Sequence, residues 1–173
     1  MIDRSHAERL VPMIDEMLAG RRPTSIVVGV GPGSFTGLRV AIAAAHGLAI
    51  GWGAPLAGMP SLALLAASAP DEGPLVVAMA GGHGELFVQS FARSPFATVG
   101  EMANLTPAAA AETHLEEVVV GSGAPALVAA RGGGEAILLL PSARFAMRLP
   151  PLLRSLPATP LYLRAPDARP KAA

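Results

Sequence analysis

The segment from Ile26 to Ile50 constrains the fold more than any other. An apolar run, Ile26-Val27-Val28-Gly29-Val30, leads into Gly31-Pro32-Gly33-Ser34-Phe35-Thr36-Gly37-Leu38-Arg39. The stretch from Val40 to Ile50 that follows is broken only by His46 and Gly47. That order predicts a strand, a tight glycine loop and a helix, the junction at which α/β proteins keep many of their ligand sites. Residues Thr24 to Val30 show little polar alternation, as a strand buried on both faces does.

The helix from Leu38 to Ile50 has no polar face. Arg39 and His46 alone interrupt it, and a helix apolar all round requires cover all round. One side can pack on a sheet, and the other needs a neighbour. Its alanines permit close helix–helix approach. An earlier helix is predicted over His6–Ala19. Ser5 and Glu8 form a capping box, Leu10, Met13, Ile14, Met17 and Leu18 form an apolar stripe, and Gly20 is the stop. Pro12 within it is expected to kink it.

Beyond Pro60 and Ser61 a helix runs over Leu62–Ala69, and Pro70-Asp71-Glu72-Gly73-Pro74 marks the clearest boundary. Leu75–Ala80 and Glu85–Phe91 flank Gly81-Gly82-His83-Gly84 and read as a β-hairpin. Short elements follow: a helix opened by Thr106-Pro107, a strand at Val118–Val120, a helix at Ala124–Ala130, a strand at Ala136–Leu140, a helix at Ser142–Arg148, and an extended Leu161–Leu163.

The composition narrows the function classes. The 173 residues are 51% hydrophobic and 15% charged, enough to build a core. Thirteen basic and thirteen acidic residues leave no basic field to hold nucleic acid alone. The absence of cysteine excludes disulfides and thiolate chemistry and fits a reducing compartment. No signal peptide opens the chain, and Val40–Ile50 is shorter than the roughly 20 residues that cross a bilayer.

The glycine loop fails both standard phosphate motifs. Gly31 plus five is Thr36 with no lysine after it, and no Gly-x-Gly-x-x-Gly register fits. An anion at the helix start stays open, since free N–H groups and the helix dipole favour one there. The candidate ligand loop is therefore Gly31, Gly33, Ser34, Phe35, Thr36, Gly37 and Arg39, with Thr36 as the expected N-cap. No Gly-x-Ser-x-Gly occurs, and Gly121-Ser122-Gly123 reads as a turn. His6, His46, His83 and His114 have no companions at ligand or triad spacing, and no carboxylate pair is placed for acid–base work. A catalytic residue and a metal site are both expected to be absent.

Gly31 to Arg39 with its Ala-rich helix, preceded by Arg4-Ser5-His6-Ala7-Glu8-Arg9-Leu10, resembles the bacterial TsaB (YeaZ) family. Pro160-Leu161-Tyr162-Leu163-Arg164 and Asp167-Ala168-Arg169-Pro170 are similar to that family's end. The resemblance implies an α/β, actin-like (sugar-kinase-like, ASKHA) two-lobe fold. Its lobes would be residues 1–70, carrying two interface helices and lacking the family's first β-hairpin, and 75–163, with a loose tail over 164–173. It further implies a cytoplasmic, non-catalytic subunit that acts with the catalytic subunit TsaD and the ATPase subunit TsaE. Their product is threonylcarbamoyladenosine on tRNA that reads ANN codons.

Under that resemblance tRNA is engaged only through the complex, no membrane is involved, and the chain needs no cofactor of its own. Any nucleotide would sit at the complex interface. Family members pair with TsaD or with themselves through a four-helix bundle. The implied interface residues here are Leu10, Met13, Ile14, Met17, Leu38, Ala41, Ala45 and Leu48. Where the family hairpin carries an acid, this chain has Ala80. A glycopeptidase-type peptidase and a stand-alone nucleotide-binding module are the alternative readings.

Overall fold

A computed structural model describes residues 6–70 and 73–163. The Ser5 cap, part of the boundary at 70–74 and the tail over 164–173 lie outside them, and nothing about the side chains of residues 6–8 is described. The order is α1 (His6–Leu18), β1 (Ile26–Gly31), α2 (Phe35–Trp52), β2 (Leu56–Pro60), α3 (Ser61–Ser68), β3 (Leu75–Ala80), β4 (Leu86–Arg93), β5 (Phe96–Leu105), α4 (Pro107–Thr113), β6 (Val118–Val120), α5 (Ala124–Arg131) and β7 (Glu135–Ile137). Three 3₁₀ segments, Gly82–Gly84 between β3 and β4, Ala143–Arg148 and Pro151–Arg154, complete it.

The strands form two sheets. β1 and β2 pair in parallel, Ile26 opposite Leu56, and α2 is their crossover. The second sheet has the order β5-β4-β3-β6-β7, with β3–β4–β5 antiparallel and β3–β6–β7 parallel. Central strand β3 shows why its sequence is apolar throughout. Leu75 and Val77 face a core with α3, while Val76 and Ala78 face a second core with α4 and α5. A strand covered on both faces has no solvent side to mark with polar residues.

Several expectations are corrected. β1 is not buried on both faces: Ile26, Val27, Val28 and Gly29 are half-buried, and burial becomes complete only at Val30. A two-stranded sheet has too few neighbours to enclose it. β5 is a full strand that the residue pattern does not announce, because residues 97–101 are exposed and offer little apolar alternation. β7 stops at Ile137, where its partner Val118–Val120 ends. Ala143–Arg148 is 3₁₀, not α-helical.

Two features cross the boundary placed at residues 70–75. Helix α3 precedes it yet packs on the second sheet, beside Leu75, Val77, Phe91 and Val120. In the opposite direction, the segment after the last 3₁₀ turn returns to the first sheet, where Leu156 bridges Gly58.

Candidate functional site

The glycine loop closes on itself more than the sequence suggests. α2 begins at Phe35, so the N-cap is Ser34 and not Thr36, which lies inside the first turn. The Ser34 hydroxyl accepts from the Gly37 N–H at 3.4 Å, and its carbonyl accepts from Leu38 N–H at 2.9 Å. The cap thus uses one of the N–H donors that would greet an anion, while the Leu38 bond is the first of the helix itself. Gly31 has φ +114°, and a methyl group there would lie 3.0 Å from both the Leu161 carbonyl oxygen and Leu38 Cδ1. The glycine is required because another part of the chain presses against it. Gly33 and Gly37 carry no comparable backbone contact.

Arg39 does not project freely. Its Nε donates to the Tyr162 hydroxyl at 3.0 Å, and its guanidinium lies 3.8 Å from the centre of the Phe35 ring. Phe35 and Tyr162 stack at 5.2 Å between centroids. Sequence reasoning singled out Arg39 and Phe35 but missed Tyr162, which is 123 residues away from Arg39 in the chain. The only signal was its place in the Pro160–Arg164 run. His46 is satisfied rather than ligand-like, its Nε2 lying 3.2 Å from the Ala158 carbonyl oxygen.

The helices supply the second candidate site. Of the 18 residues of α2, Ile42 and Ala45 alone are buried. Ala45 is therefore packed within its own fold and is not available as an interface residue. On the side of α2 turned away from Ile42 and Ala45, Ala43, Gly47 and Ile50 are exposed, Ile50 at 83%. On α1, Met13 (58%), Met17 (69%) and Val11 are exposed. Leu10, Ile14, Leu38, Ala41 and Leu48 are half-buried. The periodicity identified an apolar helix but not which of its sides the sheet would take.

α2 is also longer than Val40–Ile50. Among the described residues Phe35–Trp52 is the one helix long and apolar enough to cross a membrane. Its inner face packs on β1, and Arg39 and His46 bond to the returning chain, so it is tied into the fold.

The second sheet holds a further close-packed turn. Gly121 has φ +119°, and a methyl group there would drive into the Ala78 carbonyl oxygen. Ser122 Oγ accepts from the Ala80 N–H at 3.0 Å. This turn follows β6 and locks it to the end of β3. Among the described residues no group of three His, Cys, Asp or Glu side chains is placed to hold a metal.

A parallel strand–loop–helix unit joined to a mixed sheet flanked by helices defines an α/β protein, and the similarities that follow place it in the actin-like, sugar-kinase-like class. Two solved structures from Pseudomonas aeruginosa share the fold. YeaZ superposes with a TM-score of 0.76 at 24% identity, over 94% of this chain and 88% of that one. An uncharacterized protein with similarity to peptidase YEAZ gives 0.76 at 27%, over 93% and 85%.

The family model described as TsaD, tRNA N6-adenosine threonylcarbamoyltransferase, matches residues 1–95. The tRNA threonylcarbamoyladenosine biosynthesis protein TsaB of Haemophilus influenzae is 39% identical over 74 residues, that of Escherichia coli 41% over 71. An uncharacterized Mycobacterium tuberculosis protein is 31% identical over 98% of this chain and 80% of its own length. The chain belongs to this family, and within it to the TsaB (YeaZ) group. The match spans about a third (31%) of the length of the two curated TsaB relatives.

Proposed function

We propose that this chain is a non-catalytic, partner-binding subunit in the biosynthesis of threonylcarbamoyladenosine in tRNA that reads ANN codons. It docks on a TsaD-type catalytic chain through α1 and α2 and supports threonylcarbamoyl transfer to the adenosine. The observation that carries this reading is the exposure of large apolar side chains on both helices, Met13 and Met17 on α1 and Ile50 on α2. Side chains of this size contribute about 1.5–3 kcal/mol each when removed from water, so leaving them exposed forgoes a large part of the available stabilisation. Ala43 and Gly47 are exposed on the same side of α2 as Ile50, and small residues let a second helix approach closely.

The names of the TsaB relatives supply the pathway, and the family model supplies the chemistry of the partner. The loop at Gly31–Arg39 then serves as the lead-in to the docking helix. TsaE and tRNA join through the complex, and any nucleotide is held where this chain meets its partner. The chain acts in the cytoplasm.

Mixing the chain with the TsaD-type protein of the same organism tests the reading by size-exclusion chromatography with light scattering. A heterodimer that is lost in Ala43→Glu supports it, because a buried unpaired carboxylate costs several kcal/mol. A mixture that elutes as separate components overturns it. A stable homodimer that excludes the catalytic chain would assign the same face to a second copy instead.

A further inference from the structure

The stretch from Leu156 to Tyr162 runs back from the second sheet and lies along α2 in the opposite direction. Leu156 exchanges both backbone hydrogen bonds with Gly58, at 2.6 and 3.1 Å. The Ala158 carbonyl meets His46 at 3.2 Å. The Leu161 N–H donates to the Val30 carbonyl at 2.8 Å, and its own carbonyl fills the space beside Gly31. Tyr162 then closes the run by accepting from Arg39 at 3.0 Å and stacking on Phe35. Arg39 and His46 are two helical turns apart and share one side of α2, so the strap grips that side at both ends.

We propose that Leu156–Tyr162 is a clasp that fixes α2 against β1, and that Arg39, Phe35 and Tyr162 are its latch. Arg39 and Tyr162 are positioning residues: they set the orientation of the helix whose outer face docks the partner. A helix with two buried residues out of 18 gains little fixation from its own inner face. The clasp supplies the rest through backbone bonds that no residue pattern announces. A docking face held in one orientation binds more tightly because less freedom is lost on association. The latch is exposed, so it opens locally without unfolding the second sheet. Its consequence for docking rests on the function proposed above, whereas the clasp itself is a property of the chain alone.

Hydrogen–deuterium exchange on the full chain, without partner, separates the two. Arg39→Ala removes the hydrogen bond and the cation–π contact and should speed exchange in α2 by about fivefold or more. Tyr162→Phe keeps the stack and loses the hydroxyl, and should give a smaller increase in the same peptides. β3, β4 and α3 should exchange as in the wild type in both variants. Unchanged exchange in α2, or an equal rise across the whole chain, overturns the clasp. Binding to the catalytic chain should weaken in the same order, Arg39→Ala more than Tyr162→Phe. Local loosening of α2 in a chain that never binds the catalytic partner would uphold the clasp and overturn the docking function.

Discussion

Helices α2 and α3 are both apolar and Ala-rich, and they have opposite fates. In α3 six of the eight residues, Leu62 to Ala67, are buried. In α2 only Ile42 and Ala45 are. The difference is not composition but what the chain places around each helix. α3 lies against the second sheet, whose five strands provide a continuous apolar face, and the 3₁₀ segment Ala143–Arg148 covers it further. α2 meets a two-stranded sheet on one side, a narrow strap on its flank and α1 along part of its length. Its remaining surface has the character of a core without the core around it. Under the function proposed above, that surface is where the partner docks.

The sharpest way to break the comparison is to place one charge on each helix. Ala66→Glu should prevent folding, since a carboxylate at a fully enclosed position costs more than a typical domain can spare. Ala43→Glu should leave stability within about 0.5 kcal/mol, as exposed substitutions do. Urea unfolding followed by circular dichroism checks both. Similar losses in the two variants would mean that α2 is covered after all.

A truncation pair gives a smaller, graded effect. Leu65→Ala should lose about 2–5 kcal/mol through the cavity it leaves, against no more than about 0.5 kcal/mol for Ile50→Ala. The midpoint of the same urea curve reads the difference, and an Ile50→Ala loss near that of Leu65→Ala would contradict an open α2 face.

Two glycines sharpen the contrast at the level of the backbone. Gly47 has open space around it, so Gly47→Ala should stabilise the chain by about 0.5–1 kcal/mol through helix propensity. Gly121→Ala should destabilise by about 1–3 kcal/mol, because both its φ and the Ala78 carbonyl oppose a side chain. Thermal melts should move in opposite directions for the two. A stabilising change that weakens docking would further identify Gly47 as a close-approach position.

Much of the fold is legible in the residues because local rules agree with tertiary ones. The strand–glycine–helix order of β1 and α2, the hairpin of β3 and β4, and the Pro107 helix start all follow from turn chemistry and period. β5 is not legible because its solvent face dominates its pattern. The start of α2 is ambiguous in the residues because Ser34 and Thr36 both suit an N-cap, and only the position of Phe35 inside the helix decides between them.

The candidate site divides in the same way. Met13 and Met17 stand out by helical period, but Ala45 and Ala43 are equivalent in sequence and differ only in which side the sheet occupies. The clasp was invisible because backbone carbonyls and N–H groups make most of it, and Tyr162 reaches Arg39 only through the return of the chain.

The central claim is that α1 and α2 form the face on which the catalytic partner docks. Hydrogen–deuterium exchange of this chain, with and without a saturating TsaD-type partner, tests it most directly. The account predicts new protection concentrated in residues 6–18 and 35–52, with the second sheet unchanged. Protection confined to β5, β7 or the segment after them, with α1 and α2 unaffected, would contradict it.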